Sequence, residues 1–151
     1  MINLLLSLTF LFLLFIKGFK QQNTTIANIL AVIFSLWLYI HQFSYYLGAL
    51  GTPFVIFTTP LPSFGTLFVV GGIISKKYFS KYYGEIIIKF GIGFLIINAL
   101  LLIGSSQLFD AEGFIAIFTN IVQIIFWILY FMTLSSKTNV SLVSKNDPKD
   151  W

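Results

Sequence analysis

Long apolar runs, separated by short segments of polar and charged residues, dominate this sequence. A transmembrane helix needs about 20 mostly apolar residues to cross the hydrocarbon core of a bilayer. Hydrophobic residues make up 58% of the 151 residues and charged residues only 9%, whereas soluble domains contain roughly 25% charged residues. We therefore predict an all-α integral membrane protein with one polytopic domain at residues 1–134. Its bundle of about five transmembrane helices is expected at about 2–16, 25–47, 53–74, 85–106 and 113–134.

The positions of the lysines predict how this bundle is oriented. All nine basic residues are lysines, and the cytoplasmic loops of membrane proteins carry an excess of basic residues. With five spans and the N-terminus outside, no lysine falls in an outer loop. Lys89 lies about one turn into the membrane from the inner side, and that side itself receives Lys17, Lys20, Lys76, Lys77, Lys81, Lys137, Lys145 and Lys149. We expect the C-terminus inside, with residues 135–151 forming a polar, disordered cytoplasmic tail.

The first apolar run, residues 2–16, has two interpretations. A secretory signal peptide carries basic residues before its apolar stretch and small residues at a cleavage site. Here Lys17 and Lys20 follow the run instead, so we expect a short first span that is retained. A four-span protein without this run would keep the same orientation for its remaining helices.

Two prolines interrupt the third run near its middle. Pro60 and Pro62 each lack a backbone donor, and Leu61 is disfavoured in the helical region because a proline follows it. The sequence therefore predicts that the third helix is broken at Pro60 and Pro62. Non-helical backbone at membrane depth is tolerated only where it lies against protein or lines a water-filled cavity, which makes the break a candidate functional site.

The outer end of the second run carries a second candidate group, His41, Gln42 and Tyr45. Trp37, His41 and Tyr45 are spaced four residues apart, and amphipathic rings on such a stripe favour the membrane interface. His41 is the only histidine and cysteine is absent, whereas metal and haem sites need several converging ligands. No hydrolase, metalloprotease or phosphate-binding motif accompanies it. We therefore expect no enzymatic activity, no metal and no cofactor.

Regular spacing predicts which faces of the helices pack against protein. In the second run, one stripe of a helix with 3.6 residues per turn carries Asn28, Ala31, Ser35 and Gln42. Two further stripes of small and polar residues are Gly84, Gly91, Asn98 and Ser105 in the fourth run, and Gly113, Ala116, Asn120, Gln123, Trp127 and Tyr130 in the fifth.

Amide side chains within the predicted spans are costly in lipid unless they are hydrogen-bonded. They are Asn28, Gln42, Asn98, Asn120 and Gln123. They either join helices or line a polar path beside the broken third helix. At 1.5 Å per residue, Asn98 lies about 12 Å from the end of its span and Asn120 about 10 Å from the start of the next. We predict a hydrogen bond between them, directly or through Gln123.

Three functions fit these features. The first is a small non-enzymatic inner-membrane protein, of the immunity, exclusion or accessory type, that acts through helix contacts with other membrane components. The second is a small transporter or flippase-like protein with a polar path at the proline break, and the third is an accessory subunit of a respiratory or other membrane complex. The expected partners are the lipid bilayer and a membrane protein or a second copy of the chain. Scattered lysines argue against nucleic-acid binding.

Overall fold

A computed structural model of the chain describes residues 1–48, 60–106 and 111–145, with side chains described for residues 1–41, 61–106 and 111–136. Within these ranges the fold is all-α and contains no strand, as predicted. Helix α1 covers Ile2–Leu13 and continues without a break into π-helical turns over Leu14–Lys20. The other helices are α2 at Thr24–Gly48, α3 at Pro60–Tyr78, α4 at Lys81–Ser105 and α5 at Ala111–Lys145.

Four segments in the described part of the chain are long and apolar enough to cross a membrane. They are Ile2–Lys20, Thr24–His41, Lys81–Ser105 and Ala111–Ser136. By length and composition these segments indicate a multi-pass membrane protein. Helix α3 is not among them, because two prolines, three glycines, two lysines and other polar residues dilute its apolar residues. The fifth span therefore stays a prediction.

The two prolines lie in the first turn of α3, which begins at Pro60 and continues through Pro62 to Tyr78. Backbone N–H groups in a first turn have no partner within the helix, so proline is tolerated there. This placement explains why the helix persists after the prolines. The break was predicted in a helix beginning at residue 53, and residues 49–59 lie outside the described part of the chain.

Two other helix ends have simple local causes. The Asn23 side-chain oxygen accepts the N–H of Ile26 at 3.1 Å, which caps the first turn of α2. At the far end of the chain, α5 includes residues 135–145, which were predicted to lie in the disordered tail. No glycine or proline occurs between Gly113 and Pro148, so nothing in this stretch strongly opposes a helix.

Helices α3 and α4 form the most extensive pair in the described structure. Glycines let their backbones touch: a Cβ added to Gly84 would lie 2.5 Å from the backbone nitrogen of Lys76, and one added to Gly91 would lie 2.8 Å from the carbonyl oxygen of Gly65. Small residues at helix contacts are typical of membrane proteins, where close packing holds helices together. The predicted stripe of α4 is buried at Gly84, Gly91 and Asn98. Its last member, Ser105, is exposed, so the prediction was wrong at that end of the helix.

Aromatic rings centred on Phe34 join α1, α2 and α5. The Phe34 ring centroid lies 5.2 Å from that of Phe10, 4.2 Å from that of Phe126 and 5.8 Å from that of Trp127. Phe34, Phe126 and Trp127 are fully buried. Pairs of this kind contribute about 0.5–1.5 kcal/mol each beyond the area they bury, so this cluster is a main source of stability for the three helices.

Contacts between helices place the lysines with described side chains at one end of the bundle. Helices α1 and α2 are antiparallel, because Asn3 contacts His41 and Phe10 contacts Phe34. Tyr130 of α5 meets the start of α2, and Lys89 of α4 lies over the neighbouring Phe131 ring. We call this the basic end; the lysines there whose side chains are described are Lys17, Lys20, Lys76, Lys77, Lys81 and Lys89.

Candidate functional site

A hydrogen bond between the amide of Asn3 and the imidazole of His41 joins α1 to α2 at the end opposite the basic end. His41 is exposed, and its ring centroid lies 6.3 Å from that of Trp37. Gln42 and Tyr45 lie on the described backbone of α2, and their side chains are outside the described residues. Sequence reasoning did not assign a role to Asn3, although it is the one amide in the first apolar run.

Hydrogen bonds between described residues cross from helix to helix inside the bundle. The Tyr130 hydroxyl of α5 donates to the Asn28 side-chain oxygen of α2 at 2.8 Å. The Thr66 hydroxyl of α3 donates to the Ser35 carbonyl oxygen of α2 at 3.2 Å. Ala31 and Ser35 are fully buried, so the stripe predicted on the second helix faces protein from Asn28 to Ser35; the Gln42 side chain lies outside the described residues. These polar residues hold helices together.

The three amides predicted to meet between α4 and α5 are all buried. Asn98 is 2% exposed, and Asn120 and Gln123 are each 7% exposed. The two helices do pack against each other. The Asn120 side-chain nitrogen donates to the Ala116 carbonyl oxygen, one turn earlier in its own helix, at 2.9 Å. The bond between Asn98 and Asn120 stays a prediction.

Two buried donors have no hydrogen-bond partner within the described residues, the Ser7 hydroxyl of α1 and the Trp127 indole N–H of α5. These two helices pack against each other. A buried polar group without a partner costs about 1–3 kcal/mol. Trp127 belongs to the stripe of small and polar residues predicted on the fifth run. No pattern in the sequence singled out Ser7, because serine is common at helix contacts. Both groups could donate a hydrogen bond to a polar ligand.

The turn between α3 and α4 collects charge and aromatic surface. The Lys76 ammonium lies 3.0 Å from a Glu85 carboxylate oxygen, and the Lys77 ammonium lies 5.1 Å from the centre of the Tyr78 ring. Among the described residues, no group of three or more His, Cys, Asp or Glu could hold a metal ion. The turn thus combines lysine side chains with aromatic rings.

Comparison with known proteins gives no relative. The chain matches no family model, no curated protein and no solved structure.

Helix α4 also presents a side with open space. A Cβ added to Gly93 or Gly104 would meet nothing within 4 Å. Ile97 and Leu100 lie between them on the same side of the helix, and both are exposed. We call these four residues the open face of α4. It differs from the buried side of the same helix, where an added Cβ on Gly84 or Gly91 would collide with α3.

Proposed function

We propose that this chain is a small, non-enzymatic, multi-pass protein of a bacterial inner membrane that acts through helix contacts with other membrane components. Immunity, superinfection-exclusion and accessory proteins are of this functional type. The open face of α4 is the observation that supports the proposal. The proposed topology has five spans with α3 completing the set, the N-terminus outside and the basic end in the cytoplasm, in keeping with the positive-inside rule.

The open face has the composition that membrane helices use to associate. Lipid tails are as apolar as leucine, so helices in a bilayer gain from close packing, and small residues allow their backbones to approach. Glycine within a helix costs roughly 0.5–1 kcal/mol relative to alanine. Gly93 and Gly104 carry this cost without an internal contact to offset it. A partner helix that packs against them would offset it.

The interior of the bundle supports contact rather than transport. An aromatic cluster fills the space between α1, α2 and α5, and Tyr130 and Thr66 direct their hydroxyls at groups on α2. The Tyr130 and Thr66 side chains therefore serve packing between helices.

Site-directed crosslinking tests this proposal, because the native chain contains no cysteine. Ile97→Cys places a thiol in the open face, and Leu67→Cys places one on an exposed position of α3. In native membranes, Ile97→Cys should form a specific adduct, whose mass distinguishes a second copy of the chain from a different protein. Adding Gly93→Leu and Gly104→Leu should abolish the adduct.

Gly71→Leu is the matched control for these substitutions, because an added Cβ at Gly71 on α3 also meets nothing within 4 Å. This variant should leave the adduct unchanged. Equal crosslinking at Leu67→Cys, or an adduct that survives both leucine substitutions, would contradict a role for the open face. An adduct with a large-complex subunit would favour the accessory-subunit alternative.

The second candidate is a small transporter or flippase-like protein, favoured by the two unpartnered buried donors on Ser7 and Trp127. A polar substrate passing between α1 and α5 would find both. Under this alternative, Ser7→Ala with Trp127→Phe should leave membrane insertion intact and reduce movement of a fluorescent lipid across vesicles containing the purified protein. Pro60→Ala with Pro62→Ala, at the path predicted from the sequence, should stop this movement. Equal lipid movement with and without the protein would exclude the flippase function.

A further inference from the structure

The turn between α3 and α4 exposes large aromatic side chains together with lysines. We call residues 76–83 the basic turn. Its four rings are all exposed, and Phe79 is 86% exposed. The other exposed rings of the turn are Tyr78, Tyr82 and Tyr83. Exposed rings at the end of a membrane bundle lie at the height where aromatic side chains favour lipid headgroups.

Lysine charges on the basic turn differ in whether they are neutralised. Lys76 is half-buried and pairs with Glu85 at 3.0 Å. Lys77 and Lys81 are exposed, and no salt bridge to either occurs among the described residues. The turn therefore presents two positive charges to its surroundings, at the same level as its rings.

The backbone of the basic turn is fixed by close packing beneath it. An added Cβ on Gly84 would lie 2.5 Å from the Lys76 nitrogen, and one on Gly72 would lie 2.9 Å from the Gly84 carbonyl oxygen. The Ser80 carbonyl oxygen accepts a hydrogen bond from the backbone N–H of Gly84 at 3.0 Å. The rings and the two lysines are thus carried by a preformed turn, which lowers the entropy lost when a ligand binds.

We propose that the basic turn binds the headgroups of anionic phospholipids. Lys77 and Lys81 supply the charge that attracts a phosphate, and juxtamembrane lysines are drawn to anionic leaflets. The exposed rings would pack against the glycerol and upper acyl region of a lipid. A small soluble anion has no such apolar part. The combination of charge and rings therefore fits a lipid better than a free anion.

The experiment measures lipid binding to the purified full chain in detergent by native mass spectrometry. Phosphatidylglycerol is titrated, with zwitterionic phosphatidylcholine as the reference lipid. Each lysine near an anionic surface strengthens binding about fivefold, so the variant Lys77→Gln with Lys81→Gln should bind phosphatidylglycerol about 25-fold more weakly. Binding of phosphatidylcholine should not change.

A matched control removes the same charge elsewhere at the basic end. Lys17→Gln with Lys20→Gln lies in the π-helical turns after α1 and should keep the wild-type affinity for phosphatidylglycerol. A second variant, Tyr82→Leu with Tyr83→Leu, keeps the charge and should lose part of the affinity. Circular dichroism of each variant checks that the helices are retained.

Three results would overturn the proposal. The first is equal binding of the two lipids by the wild-type chain. The second is an equal loss of affinity in both lysine variants, which would assign the effect to the general charge of the basic end. The third is displacement of phosphatidylglycerol by inorganic phosphate at equal concentration, which would make the turn a site for free anions.

Discussion

Alanine substitutions at two glycines of α4 should change stability in opposite directions. Gly84 lies on the side that contacts α3, and Gly93 lies on the open face. A Cβ at Gly84 would lie 2.5 Å from the backbone nitrogen of Lys76 and 2.6 Å from its Cα. A Cβ at Gly93 would meet nothing within 4 Å. The same chemical change is thus made on one helix in two environments.

The expected magnitudes follow from these distances. Carbon atoms pack best at about 3.5–4.0 Å, so Gly84→Ala must move α3 and α4 apart by about 1 Å. The obstacle is backbone, which cannot rotate away, and overpacking of this kind costs about 1–3 kcal/mol. Both variants gain about 0.5–1 kcal/mol from replacing glycine by alanine in a helix. This gain cancels in the comparison, so Gly84→Ala should be less stable than Gly93→Ala by about 1–3 kcal/mol.

Unfolding by sodium dodecyl sulfate in mixed micelles, followed by circular dichroism, measures both variants against the wild-type chain. Gly93→Ala should unfold at a higher mole fraction of the denaturing detergent and Gly84→Ala at a lower one. Equal stability of the two variants, or a less stable Gly93→Ala, would refute the close contact of α3 and α4. Gly71→Ala, on an open side of α3, should behave like Gly93→Ala.

Two further predictions test the topology and the hydrogen bonds. Cysteines introduced at Ser80 and Ser141 should be protected from an impermeant thiol reagent added outside, whereas one at Ser106 should react; labelling of Ser80 would reject the orientation. Removing the bond between Tyr130 and Asn28 with Tyr130→Phe should cost about 1 kcal/mol, and a double-mutant cycle with Asn28→Leu should show coupling of that size. The same cycle on Asn98→Leu and Asn120→Leu tests the bond predicted between these two residues, and zero coupling would remove it.

The fold class and several packing faces could be predicted from the sequence. The length of the apolar runs indicates helices, because backbone groups without hydrogen bonds are too costly in lipid. A helix satisfies all of these groups within one segment. Polar and small residues mark faces that avoid lipid, which is why Ser35, Gly91 and Asn98 were correctly placed inside. This signal exists only for side chains whose polarity or size differs from that of lipid tails.

Apolar residues carry no such cue, so the sequence does not predict which of them are buried. Phe34 is fully buried and Phe12 is exposed, yet either ring is equally compatible with lipid tails and with a protein core. The aromatic cluster around Phe34 could not be located before the helices were assembled. Nor could the spacing of glycines on α4 identify α3 as the helix they contact. The bond from Asn3 to His41 joins residues far apart in sequence, which no local pattern encodes.

The two sides of α4 follow the same packing physics with different outcomes. Gly91 and Gly93 are separated by about 200° around a helix with 3.6 residues per turn, so they lie on nearly opposite sides. Helix α3 fills the first side, and its backbone approaches until an added Cβ on Gly91 would lie 2.8 Å from the Gly65 carbonyl oxygen. The second side also carries glycines, Gly93 and Gly104, on either side of Ile97 and Leu100, and an added Cβ on either glycine would meet nothing within 4 Å in the described structure. A helix from another chain could approach this side as closely as α3 approaches the first, and Gly104→Leu would block that approach without touching the internal contact.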